Sequence, residues 1–112
     1  MNTVIPTLRY QNAGEAIAFL IEAFGFSEHM IARNDDGEIV HAQLSFGNGM
    51  VMLGPAGDSD FDQIQNVPSK GIPVTQSAYV VVSDADVHHE KAITAGARIA
   101  EPLQSPPHGG RF

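Results

Sequence analysis

The sequence predicts an α+β protein made of two related strand–helix–strand units, the second incomplete. Three observations carry that expectation. A capped amphipathic helix with a glycine stop follows the first strand. Two tight turns, Asp36-Gly37 and Gly47-Asn48-Gly49, then separate three short apolar runs. A second capped helix repeats the first at an offset of about seventy residues.

Val4 to Tyr10 reads as the first strand, with Val4, Leu8 and Tyr10 on one face and Ile5, Thr7 and Arg9 on the other. Asn12 is a good N-cap, and Glu15 stands three residues on, as in a capping box. Ala13, Ala16, Ile17, Leu20, Ile21 and Phe24 then fall on one helical face, and Gly25 ends the helix. Phe26 to Arg33, Glu38 to Phe46 and Met50 to Leu53 are the next three strands. Residues 55–75 are rich in Gly, Pro, Ser and Asp and read as a linker, with one helical turn near Phe61 to Gln65. The pattern then restarts. Ser77 to Val82 reads as a strand, Asp84 or Ser83 caps a helix to about Ala95, and Ala97 to Glu101 reads as another strand. The expected division is therefore 1–54, a linker over 55–75, and a second, incomplete unit over 76–112.

Bulk properties narrow the function. A net charge of −7 argues against a nucleic-acid backbone as partner. It suits a neutral or cationic small ligand, and equally serves solubility alone. With no cysteine, there is no disulfide, thiolate metal site or cysteine nucleophile. No early apolar run has the length or basic flank of a signal peptide and none would span a membrane, so no membrane partner and a cytoplasmic location are expected. No phosphate loop, dinucleotide fingerprint, zinc motif or nucleophile elbow is present.

Three stretches carry a family resemblance: NAGEAIAFLIEAFGF, DGEIVHAQLSFGNGMVMLGP and YVVVSDADVHHEKAITAGARIAEPL. Together they resemble the vicinal oxygen chelate superfamily, which includes glyoxalases, bleomycin-resistance proteins and dioxygenases, in its PhnB-like or glyoxalase-like branches. The resemblance implies tandem βαβββ modules forming a curved mixed sheet around a cavity. It also places three of the family's four metal-ligand positions on Ile5, Met52 and Ala78. None of these offers a donor for a hard divalent cation. The fourth position, on a final strand after an Asp-Pro-x-Gly turn, would lie past Phe112. No metal and no cofactor are therefore expected, and usual metal-dependent glyoxalase or dioxygenase chemistry is disfavoured. The incomplete second module would leave an open sheet edge. A homodimer is expected, with strand exchange one way to complete the sheet.

Strand alternation sorts the remaining candidates. Val4, Leu8, Ala42, Leu44, Phe46, Val51, Leu53, Tyr79 and Val81 would face the helices. The other face would carry Ile5, Thr7, Arg9, His41, Gln43, Ser45, Met50, Met52, Ala78 and Val80. Such a mixture suits a small-molecule pocket, and also a partly solvated sheet face. The ligand-binding candidates are Thr7, Arg9, His41, Gln43 and Met52. His41 is the best catalytic candidate, as a general base or an orienting group, against a structural histidine bonded to a neighbouring strand or loop. Arg9 suits a ligand carboxylate or an ion pair with an acidic residue of the chain. His88 and His89 point about 100° apart on a helix and cannot readily chelate one ion together. His88 is expected to pack between helix and sheet, and His89 to be exposed.

The leading functional expectation is a metal-free small-molecule binding protein that sequesters a drug or metabolite. The alternative is a lyase- or isomerase-type enzyme using His41 as acid/base, or one with a divalent-metal site at other positions. A third possibility is an interaction module with no small ligand.

Overall fold

A computed structural model describes residues 2–112, and its architecture is α+β: a curved four-stranded mixed sheet with two helices. The elements are β1 (Thr7–Tyr10), α1 (Ala13–Phe24), β2 (Ser27–Arg33), β3 (Ile39–Phe46), β4 (Gly49–Pro55) and α2 (Ala85–Thr94), with a single 3-10 turn at Phe61–Gln63. The strand order is β1-β4-β3-β2, with β1 parallel to β4 and the other pairs antiparallel.

Local chemistry sets most boundaries. Asn12 accepts a hydrogen bond from the Glu15 amide at 3.0 Å and starts α1. Gly25 stops it at φ 82°, with the Gly25 amide bonded to Ile21 and the Phe26 amide to Leu20, a Schellman ending. The β2–β3 hairpin turns on Asn34, whose side-chain oxygen accepts from the amides of Asp36 and Glu38 at 3.0 Å. β1 is shorter than expected because Pro6 has no amide to donate, although its carbonyl still accepts from Met52 at 2.9 Å. Val4 and Ile5 consequently fall outside the strand, and Val4 is 82% exposed rather than in the core.

The core lies between α1 and one face of the sheet. Ala13, Ile17 and Leu20 pack on Ala42, Leu44, Val51 and Leu53, with Phe26 closing one end. Leu44 is fully buried. Register explains this face: Leu8 pairs with Leu53, Leu53 with Ala42, and Leu44 with Val51. Ile21, expected on the buried stripe, is exposed instead.

The second unit differs from expectation. Its helix is as read, capped by Asp84 through the Val87 amide at 3.1 Å. Neither Ser77–Val82 nor Ala97–Glu101 is a strand, since an extended segment becomes one only by pairing and no ladder includes them. Tyr79 and Val81 are thus exposed at 77% and 78% rather than buried under helices. α2 rests on α1. His88 stacks on Phe24 at 5.6 Å and its Nε2 lies 3.3 Å from the Phe24 carbonyl, so it packs between two helices rather than between helix and sheet. His89, expected to be exposed, is half-buried beside Glu90. The C-terminal residues form a closed loop in which Gln104 and Phe112 exchange backbone bonds and Arg111 reaches Asp86 at 2.8 Å. The radius of gyration is 15.3 Å, against about 13 Å for a compact chain of this length.

Candidate functional site

The sheet face away from α1 carries the polar candidates, and register sets them in two rows. Thr7 pairs with Met52, Met52 with Gln43, and Gln43 with Met30, giving one row across all four strands. Arg9 pairs with Gly54 in the next row. One step beyond the Ala42–Leu53 pair, His41 comes abreast of Gly54 from the other side, and His41 itself pairs with Ala32. The expected face assignment of Thr7, Arg9, His41, Gln43 and Met52 follows directly from this register.

Gly54 is the bare point between Arg9 and His41. A Cβ there would lie 3.2 Å from Arg9 Nη1 and 3.2 Å from the Val40 carbonyl. Its backbone is not left-handed. Glycine is needed here for space, and glycine within a strand often marks a close approach of this kind.

Residues 56–66 fold back over this face. Three contacts hold them. Gln65 exchanges hydrogen bonds with Thr7, donating to its carbonyl at 2.7 Å and accepting from its hydroxyl at 3.1 Å. Asp62 forms an ion pair with Arg9. The Phe61 ring lies 5.3 Å from the Arg9 guanidinium carbon, a cation–π contact.

Asp62 is the best-satisfied polar group of the site. It is buried, and accepts from the amides of Gly57 and Ser59 at 3.0 Å, from the Ser59 hydroxyl, and from Arg9. The Ser59 amide donates to Asp62, while the Asp62 amide lies 3.4 Å from the Ser59 hydroxyl, the reciprocal pattern of a capping box. The Ser59 hydrogen bond, and after it the one from Arg9, hold the Asp62 carboxyl well below the usual carboxylate range. Asp62 therefore stays ionised across the physiological range. Arg9 is less well served: its Nε is buried with no hydrogen-bond partner.

These groups line a half-open cavity of about 260 Å³, with Thr7, Arg9, His41, Met52, Phe61 and Gln65 around it and Gly54 also in its wall. It lies just below the usual range for drug-sized pockets, about 300–1,000 Å³. Gln43 does not line it, and donates instead to the Met52 sulfur at 3.4 Å. A second hollow of about 330 Å³ lies between the Gly47–Gly49 turn and Ala78–Val81. Its walls include Phe46, Met50 and Tyr79 and no charged side chain. The cavity at Arg9 is the one with chemistry to offer.

The residues do not fit the metal that the resemblance would bring. Met52 is in the sheet row, but Ile5 and Ala78 lie outside any strand and are hydrocarbon. Among the described residues, no three His, Cys, Asp or Glu side chains converge on a point. Among the described residues, no helix is long and apolar enough to cross a membrane.

Gly54, Phe61, Asp62 and Gln65 escaped the sequence reading. Ser59-Asp60-Phe61-Asp62 does carry a detectable signal, the Ser-x-x-Asp spacing of a capping box. Nothing in the sequence says that this turn lands on Arg9.

No protein-family model matches the chain. It is 30% identical over 113 residues to the uncharacterized protein Mb0911c of Mycobacterium bovis, covering 96% of this chain and 70% of that protein. Identity is the same with the uncharacterized protein Rv0887c of Mycobacterium tuberculosis, of whose length the chain spans 63%. Among solved structures, TioX from Micromonospora sp. ML1 superposes with a TM-score of 0.68 at 29% identity, covering 99% of this chain and 85% of that one. A glyoxalase-related enzyme from Clostridium phytofermentans gives 0.65 at 15% identity, covering 99% and 82%. The bleomycin-binding protein from Streptomyces verticillus, complexed with copper(II)-bleomycin, gives 0.59 at 18% identity, also covering 99% and 82%. At these last two identities the likeness is one of fold alone.

Proposed function

This chain belongs to the family of the mycobacterial protein Mb0911c and has the glyoxalase/bleomycin-resistance fold, and from that premise we propose that it binds a small molecule in the cavity beneath residues 56–66. One observation carries the reading. The cavity sets the apolar walls of Met52 and Phe61 beside the directional groups of Thr7, Arg9, His41 and Gln65. In this reading the chain sequesters a drug or metabolite, as a bleomycin-binding protein of the same fold holds copper(II)-bleomycin. Binding is metal-free in this reading, because Ile5, Met52 and Ala78 give a hard cation nothing to hold. No cofactor is invoked. The charge of −7 would draw a cationic ligand toward the protein.

The reading extends to the whole molecule. Residues 1–54 form the first βαβββ module, 55–75 connect, and 76–112 begin the second, in the PhnB-like or glyoxalase-like branch. A homodimer in the cytoplasm, with strand exchange one way to form it, is part of the same proposal. The exposed apolar side chains of Tyr79 and Val81 and the enlarged radius of gyration support a partner over this region. Light scattering on the purified protein is expected to give twice the chain mass.

His41 supports a second reading. It lines the same cavity, and a neutral imidazole there would act as acid/base in a lyase- or isomerase-type reaction. Calorimetric titration with cationic glycopeptides and aromatic compounds tests the first reading, and silence with every compound would count against it. Turnover abolished by His41→Ala in a folded protein would favour the second. Stoichiometric, tightly held Ni, Zn, Mn or Fe in purified protein would overturn the metal-free part of both.

A further inference from the structure

We propose that Asp62 is the specificity-determining residue of this cavity: by neutralising Arg9 it excludes carboxylate ligands and selects neutral ones. The proposal rests on the cavity being a binding site and names the chemical class it takes.

Two observations lead there. First, the guanidinium is held in place before any ligand arrives. Gly54 makes room for it on one side, Phe61 lies against it on another, and Asp62 takes Nη2. A donor fixed in this way loses little freedom when a ligand binds. Second, the cation is already neutralised. Asp62 is buried and ionised, anchored by Gly57 and Ser59 as well as by Arg9. A ligand carboxylate entering here would meet a fixed negative charge with no unpaired positive charge to offset it. A neutral amide or ketone would enter without that repulsion. The planar Phe61 and the adaptable Met52 favour a flat, apolar body behind the oxygen.

The experiment titrates the intact chain with benzamide and benzoate, two flat probes of the same shape that differ in charge, followed by calorimetry and by amide NMR shifts. Wild type is expected to bind benzamide and to bind benzoate at least about tenfold more weakly. Asp62→Asn keeps a side-chain acceptor for the turn but removes the charge, and is expected to reverse the preference. Equal binding of both probes to wild type, or an Asp62→Asn protein that still prefers benzamide, would overturn the filter while leaving the cavity a binding site. Binding of neither probe to wild type would overturn both. The wild-type preference decides the matter even if Asp62→Asn does not fold.

Discussion

Gly54→Ala sets two opposing effects against each other at the centre of the site. The backbone at Gly54 is one that any residue adopts. Alanine would therefore restrict the unfolded chain and stabilise the protein by about 0.4–1 kcal/mol, if the folded state had room for it. The folded state has little. The added methyl would sit 3.2 Å from the Val40 carbonyl, part of the β3 backbone, and 3.2 Å from Arg9 Nη1. Arg9 cannot simply swing away, because Asp62 and Phe61 hold its far side. Overpacking against fixed groups costs about 1–3 kcal/mol. The overpacking outweighs the entropy gain, leaving a net loss of about 1 kcal/mol. Urea unfolding followed by circular dichroism would show it as a midpoint lower by about 0.5 M with an unchanged slope. Benzamide binding should fall as well, because the methyl fills the space between Arg9 and His41. A variant more stable than wild type that binds as before would show Gly54 to be a tolerated glycine, not the notch that seats the guanidinium.

Other outcomes follow from the same structure. Leu44→Ala, at a fully buried position between α1 and the sheet, should cost about 2–5 kcal/mol in chemical unfolding. Asn12→Ala removes the one side-chain cap of α1 and should cost about 1 kcal/mol by the same measurement. Asp62 has a depressed folded-state pKa, so its contribution to stability is present above its unfolded value near about 4 and is lost as pH falls through the folded value below that. Thermal midpoints should therefore drop more steeply between about pH 4 and pH 2 in wild type than in Asp62→Asn; parallel curves would remove Asp62 from the acid response.

The first unit was legible because its signals are local. A cap at Asn12, a stop at Gly25 and turns at Asp36-Gly37 and Gly47-Asn48-Gly49 each act within a few residues, and alternation alone put Arg9, His41 and Met52 on one sheet face. The second unit was less legible. Ser77–Val82 has strand composition, but whether it pairs depends on a neighbour that composition does not describe. The site itself was half visible. Its floor follows from register, whereas its roof depends on a Gly- and Asp-rich stretch folding back by some fifty residues of chain onto Arg9. An ion pair with one of the acidic residues was among the expectations for Arg9; which one, and that it would be buried with a cavity beside it, required three dimensions. Gly54 was invisible for the same reason, since a glycine after a strand reads as a turn until Arg9 is seen lying across it.

The location of binding is the most direct point to test. In an amide NMR titration of the intact chain with benzamide, the moving resonances should map to residues 7–9, 40–43, 52–54 and 57–66. Shifts confined to 47–50 and 78–81, around the other hollow, would contradict this account, as would none at all.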